Sequence, residues 1–320
     1  MTALSSTREP CTIIFNGDDF GLSESVNASM MSVLPCGLLR SISVMVGMPG
    51  ARAGLESLGQ LKVSRSDLVP GLGLHFCLTS GQSVSSPGEI PLLTDVQGRF
   101  RHGFLSLLKL LCSPRTKAEA YRQIQIEFTA QASRFRTLLT QQGLTADHID
   151  SHQHIHVLPG ITNLLAAEAE RAGLLLREPH ENYGSVARFL TTAVKRFPGG
   201  PAKKMILDSL LARSRTSLPS ATCGYFGILD TGHVDTQTVT RILRVIPNLS
   251  QRTGLKRFEI NLHPWNCRPE DFKSEVYSSA DRKFATSAQR LREWNALQAR
   301  QVYEPFLAKY NLKFGSFSDV

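Results

Sequence analysis

Short apolar runs recur along this chain with helix-length stretches between them, and that alternation is the strongest constraint on its fold. Cys11 to Phe15, Ser41 to Val46, Gly71 to Phe76, Ala146 to Asp150, Leu174 to Arg177, Gly224 to Leu229, Arg257 to Leu262 and Leu312 to Phe317 read as strands. Lys117 to Gln142 reads as a long helix before the fourth of them, and Ser23 to Val33 as a helix after the first. Strands that alternate with helices form parallel βα units. Seven or eight such units in 320 residues predict a single α/β domain over 1–320, a TIM-like (β/α) barrel with some irregularity. The least regular stretches, around 80–101 and 182–222, read as insertions after strands.

The chemistry-bearing residues fall at the ends of these strands. Asp18 and Asp19 follow the first, His75 ends the third, His152 follows the fourth, Arg177 ends the fifth and His263 follows the Ile260-Asn261-Leu262 run. Barrel enzymes assemble their sites at the C-terminal ends of strands. The run His148 to His156 places four of the nine histidines, with Asp150, in nine residues. Imidazole is the commonest metal ligand, and three protein ligands beside an open position are the usual form of a hydrolytic metal site.

Each of these signals has a plainer alternative. Asp18-Asp19 could hold a cation and act as a base, or an Asp could cap the following helix. His75 alone could be a core histidine. In the His148 run, a continuing strand would put His148, Asp150, His152, His154 and His156 on one side. A turn after Ser151 would instead let His152 and His156 meet. The histidines in excess of a ligand set would orient ligands or touch substrate. His263, before Pro264, suits a general acid. Asp230 in the Tyr225 to Asp235 loop could line the cleft, and Trp265 could offer an aromatic face to a sugar ring.

The formal charge of +9 suits solubility or an anionic partner. The densest basic stretch holds Arg188, Lys195, Arg196, Lys203, Lys204, Arg213 and Arg215 against Asp208, with apolar residues interleaved. That pattern fits peripheral binding to an anionic membrane. No nucleic-acid module is recognisable. No run of about 18 apolar residues suggests a spanning helix. The polar opening, Met1 to Pro10, is unlike a signal peptide. Six scattered cysteines without a CxxC pair read as reduced thiols. Together these predict a cytoplasmic protein, peripheral at most on the inner membrane face.

The motifs NGDDFGLS (Asn16 to Ser23), GLHFCLTSG (Gly73 to Gly81), HIDSHQHIHVLPG (His148 to Gly160), NLHPW (Asn261 to Trp265) and GSFSDV (Gly315 to Val320) resemble the YdjC-like carbohydrate deacetylases, the family of chitooligosaccharide deacetylase. Many members have Ala in place of Gly17. The resemblance implies a (β/α) barrel enzyme that removes the N-acetyl group of an amino sugar. It implies a divalent metal on Asp19, His75 and His152, with Asp18 as base and His263 as acid. His154, His156, Arg177, Asp230 and Trp265 would bind substrate or support the ligands. Two imidazoles and a carboxylate suit Zn²⁺, with Ni²⁺ or Co²⁺ possible, although the family is often assigned Mg²⁺. IPLLTDVQGRF (Ile90 to Phe100), the basic segment and GILDTGHVD (Gly227 to Asp235) are similar to the branch associated with hopanoid biosynthesis. That branch implies an N-acetylglucosaminyl lipid as substrate, against a soluble chitooligosaccharide or a non-catalytic glycolipid-binding barrel. A metal hydrolase of the amidohydrolase type usually carries His-x-His after its first strand, where this chain has Asp-Asp.

Overall fold

A computed structural model describes residues 9–181, 200–214, 222–274 and 276–319. The strands are β1 (Cys11–Phe20), β2 (Leu39–Val44), β3 (Gly71–Phe76), β4 (His148–Ser151), β5 (Leu175–Leu176), β6 (Gly224–Phe226), β7 (Arg257–Leu262) and β8 (Leu312–Phe314). The α-helices are α1 (Glu24–Val33), α2 (Ala51–Ser64), α3 (Phe104–Cys112), α4 (Lys117–Gln141), α5 (Ile161–Ala172), α6 (Gly200–Ser214), α7 (Thr236–Thr253), α8 (Ser279–Ala285), α9 (Ala288–Ala296) and α10 (Arg300–Tyr310).

Every strand pair is parallel, and the order is β5-β4-β3-β2-β1-β7-β6. The βα reading holds, and among the described residues the sheet forms an incomplete, irregular barrel. Among the described residues β5 and β6 do not pair, so the sheet is a partial barrel open between them. Both facing strands are short, at two and three residues, and offer little backbone to close the ring. β8 pairs with Cys11 to Ile13 of β1, while β7 pairs with Thr12 to Gly17. Because β7 fills one edge, β8 shares the β2 edge of β1.

Side chains alternate across each strand. Ile13 and Phe15, Ile42 and Val44, Leu72, Leu74 and Phe76, Ile149, and Phe258, Ile260 and Leu262 join the apolar core. The intervening residues point to the other face: Asn16 and Asp18, Ser41 and Ser43, His75, His148 and Asp150, Glu259 and Asn261, all buried. A barrel interior is ordinarily filled with branched apolar side chains. Here, Ile14 apart, the β1 to β4 and β7 positions named are polar, and these polar groups need partners.

Two local expectations change. The aspartates do not follow β1; the strand runs through them to Phe20, buried along its whole length. Its register against β2 slips between Gly17 and Phe20, and Asp19 takes a left-handed φ of 68°. The helix cap is Ser23, whose side chain accepts from Val26 N, so neither Asp is needed there. The stretch 80–101 is irregular but packed. Glu127 on α4 accepts the amides of Val84 and Ser85 at 2.9 Å each, and Ile90 and Leu93 are buried. The second irregular stretch, 182–222, lies mostly outside the described residues.

Candidate metal centre and active site

The kink at Asp19 turns two neighbouring carboxylates to different partners. Asp18 faces a guanidinium: Arg177 donates from Nη1 to Oδ2 at 2.9 Å and from Nη2 to Oδ1 at 2.7 Å. Asn16 Nδ2 adds a donation to Oδ1 at 2.8 Å. Asp19 faces two imidazoles. Its Oδ1 lies 3.1 Å from His75 Nε2 and 2.8 Å from His152 Nδ1. Its Oδ2 is buried and has no hydrogen-bond partner among the described residues. His263 Nε2 stands 4.0 Å from that oxygen.

Arg177 ties the floor of the site together. Besides Asp18, its Nη2 lies 2.7 Å from Asp150 Oδ2 and 2.6 Å from Glu259 Oε1, and its guanidinium stacks near the Tyr225 ring. Asp150 also takes His75 Nδ1 at 2.6 Å and the Ser43 hydroxyl at 2.7 Å. Burial opposes a charged His75, but the carboxylates of Asp150 and Asp18 outweigh it and raise the imidazole to about 10. Burial likewise opposes ionisation of Asp19, and His152 and His75 overcome it and hold the carboxyl well below its ordinary value. Glu259 goes the other way. Burial dominates, Arg177 offsets it only in part, and Asp18 and Asp150 add repulsion, so its carboxyl rises to about 7.

The His148 run does not continue as a strand. β4 ends at Ser151, and Gln153 and His154 adopt left-handed φ values of 55° and 58°. Only His152 reaches Asp19. His156 is held by Ser151, whose Oγ lies 2.5 Å from Nδ1 and accepts the His156 amide at 2.9 Å. Its burial pushes it down to about 4. His154 packs edge-on against Tyr225 and His156, and burial, with Lys203 and Arg177, holds it well below its ordinary value.

His263 is positioned by Glu293, which accepts its backbone amide at 2.7 Å, and by the edges of Trp265 and Phe284. Burial and Arg290 push it down to about 3. Trp265 is fully buried and donates its indole N–H to Ala285 O at 2.7 Å. It supports His263 and offers no face to a sugar, contrary to the expectation. Arg177 is also buried among carboxylates, so it serves Asp18 rather than a ligand. Asp230 is buried with Arg241 at 3.6 Å. The sequence reading missed Asn16, Ser43, Glu259 and Glu293. A polar residue alternating with apolar ones inside a strand was the available signal for the first three.

Two side chains of the basic stretch are also placed differently. Lys203 is half-buried beside the site; burial lowers its ammonium, with Glu181 and Asp18 countering. Lys204 is paired with Asp208. Arg188, Lys195, Arg196 and Arg215 lie outside the described residues.

Asp19, His75 and His152 each offer one ligand atom, and the three atoms lie within 4.8 Å of one another. The unpartnered Asp19 Oδ2 adds a buried acceptor that a cation would satisfy. The donor set therefore fits a divalent metal of the zinc type. A second group, Asp18, His75 and Asp150, is equally close, but Arg177 already supplies its cation. Asp18, Asp19 and His75 are at most 3% exposed at the side chain, whereas His152 and His263 keep 11% and 14%. A reactant must therefore arrive past the two histidines.

The model of the YdjC-like protein family matches residues 12–306. The chain is 33% identical over 167 residues to a carbohydrate deacetylase of Brevibacillus brevis, covering 52% of this chain and 59% of that one. It is 36% identical over 172 residues to a chitooligosaccharide deacetylase of Serratia marcescens, covering 53% and 60%. The chain thus spans about half to three-fifths of the length of these relatives. A crystal structure from Enterococcus faecalis V583, named for cellobiose-phosphate cleavage, superposes with a TM-score of 0.63 at 19% identity. It covers 97% of this chain and 98% of that chain, and at this identity it speaks to the fold alone.

Proposed function

The chain belongs to the YdjC-like family, and from that premise we propose that it is a metal-dependent hydrolase removing the N-acetyl group of an amino sugar. The observation that carries this reading is the convergence of Asp19, His75 and His152, with Asp18 and His263 beside them. A divalent ion held by these three side chains would supply Lewis-acid polarisation of an amide carbonyl and would acidify water.

The chain's own groups supply the proton transfers. Arg177 and Asn16 hold Asp18 as an oriented carboxylate that takes a proton as water adds to the carbonyl carbon. Breaking the C–N bond then needs a proton on nitrogen, and His263 at the mouth delivers it. Burial and Arg290 keep His263 neutral at rest, so the proton it delivers to nitrogen is the one Asp18 takes from water and then gives up, which leaves Asp18 a carboxylate again. His156 and His154, both kept neutral by burial, line the same turn as His152 and orient the ligand rather than titrate.

The finer reading is a lipid-linked substrate, an N-acetylglucosaminyl hopanoid or similar glycolipid, approached at an anionic membrane. No described helix is long and apolar enough to cross a membrane. Support comes from α6, which packs against the His152–Val157 turn and exposes Met205 by 66% and Ile206 by 39%. The inward placement of Lys203 and the pairing of Lys204 reduce the cations that segment can offer to lipid. Amine release from an N-acetylglucosaminyl lipid and from soluble N-acetylated chitooligosaccharides separates the readings. The lipid should be preferred, and the preference should weaken as salt screens the surface. Equal turnover of both would remove the lipid reading and leave a soluble chitooligosaccharide deacetylase; no release from either would leave a binding protein.

A further inference from the structure

Two sequence features have no part in this chemistry: His148, and the closing segment 315–319. They meet beneath the site. His148 is fully buried, and its ring lies 4.5 Å, centroid to centroid, from Phe317. Its Nδ1 is 2.6 Å from Asp147 Oδ1, and the other Asp147 oxygen accepts from Ser318 Oγ at 2.9 Å. Its Nε2 is 3.0 Å from Ser43 Oγ. Ser43 donates to Asp150 Oδ2 at 2.7 Å, and Asp150 Oδ1 lies 2.6 Å from His75 Nδ1. One connected line therefore runs from the C-terminal segment to a candidate metal ligand.

The backbone around that line leaves room for it. A Cβ on Gly71 would stand 2.1 Å from Asp147 Oδ2, and one on Gly73 would stand 2.2 Å from His148 Nε2. Both glycines are in β3, the strand that carries His75. Side chains there would evict the pair from the floor.

Counting protons gives the line a direction. A serine hydroxyl has one proton, and Ser43 gives it to Asp150. Ser43 then accepts from Asn16 Nδ2, at 2.9 Å, and its contact with His148 Nε2 requires a proton on that nitrogen, just as the contact of Nδ1 with the Asp147 carboxylate requires one on Nδ1. Asp150 only receives: from Ser43, from Arg177 and from His75 Nδ1–H. His75 is thereby held with Nδ1 protonated and Nε2 aimed at Asp19. We propose that His148, clamped by Asp147 and the segment 315–319, is a positioning residue that fixes, through Ser43 and Asp150, the orientation and tautomer of His75. The inference rests on the metal reading above. Partners one step behind a metal ligand typically change metal affinity about 10–100-fold.

The test is Zn²⁺ binding to the metal-depleted full chain, by chelator competition, with the visible spectrum of the Co²⁺ form as a second readout. His148→Leu acts through two further hydrogen bonds, so it should weaken Zn²⁺ binding by roughly several-fold, less than the range of about 10–100-fold for a direct partner such as Asp150, and shift the Co²⁺ bands. His148→Gln, which restores a donor near the position of Nε2, should recover most of both. Ser43→Ala cuts the line with little loss of volume and serves if His148→Leu does not fold; it should weaken binding similarly. Wild-type affinity and spectrum in Ser43→Ala, or equal losses in His148→Leu and His148→Gln, would reduce His148 to a packing residue and overturn the proposal. A wild type that binds no Zn²⁺ would instead remove the metal reading, and this inference with it.

Discussion

Asp18 and Asp19 are adjacent in sequence and opposite in surroundings. A guanidinium and an amide grip both oxygens of Asp18, whereas Asp19 keeps a buried oxygen with no protein partner among the described residues. That asymmetry is the ground for proposing Asp18 as the base and Asp19 as the ligand. Asp18→Asn should retain Zn²⁺ and lose turnover by about 10²-fold or more, the range of general-base catalysis. Metal content and kcat on one preparation check it; a wild-type rate would remove the base. Glu259 gives a pH prediction at the same scale. Its carboxyl is raised from 4.5 to about 7, so the folded protein holds a proton there that the unfolded chain releases. Its stabilising contribution is fully present below about 4.5 and is lost as pH rises through about 7. Gln cannot lose that proton. The stability of Glu259→Gln relative to wild type should therefore move in the variant's favour by about 1–3 kcal/mol from pH 5 to pH 8. Denaturation at the two pH values decides; a pH-independent difference would mean that Glu259 stays ionised.

Strands place these groups, and the alternation within them was legible. Ser41-Ile42-Ser43-Val44, Gly73-Leu74-His75-Phe76, His148-Ile149-Asp150 and Glu259-Ile260-Asn261-Leu262 all set polar against apolar residues with the period of a strand. The apolar set joins the buried core. The polar set marks the interior of the partial barrel, and reading only strand ends overlooked Ser43, Glu259 and Asn16. The sequence could not show the left-handed turn at Gln153 and His154, because neither is a glycine. That turn selects His152 for the site and sends His156 to Ser151. Trp265 was misplaced for a related reason: an aromatic beside a strand-end histidine packs as readily beneath it as beside a ligand. Gly73 carries a prediction at this scale. Gly73→Ala would drive a methyl into His148, and overpacking of this kind costs about 1–3 kcal/mol. Thermal unfolding checks it, and an unchanged Tm would show that His148 can move aside without cost.

At the scale of the molecule, the βα alternation gave eight parallel strands but not their closure. Closure depends on how much backbone the last strands present to each other, and β5 and β6 are too short to show it in composition or spacing. The partial barrel leaves its mouth at His152 and His263, next to α6, where the proposed substrate would enter. The whole account turns on one claim, that Asp19, His75 and His152 hold a metal on which deacetylation depends. His152→Ala tests it most directly, with Zn²⁺ content and acetate release from an N-acetylglucosaminyl substrate measured on the same folded sample. Wild type should hold one ion per chain, and the variant should lose ion and activity together. Full Zn²⁺ occupancy in His152→Ala would contradict it.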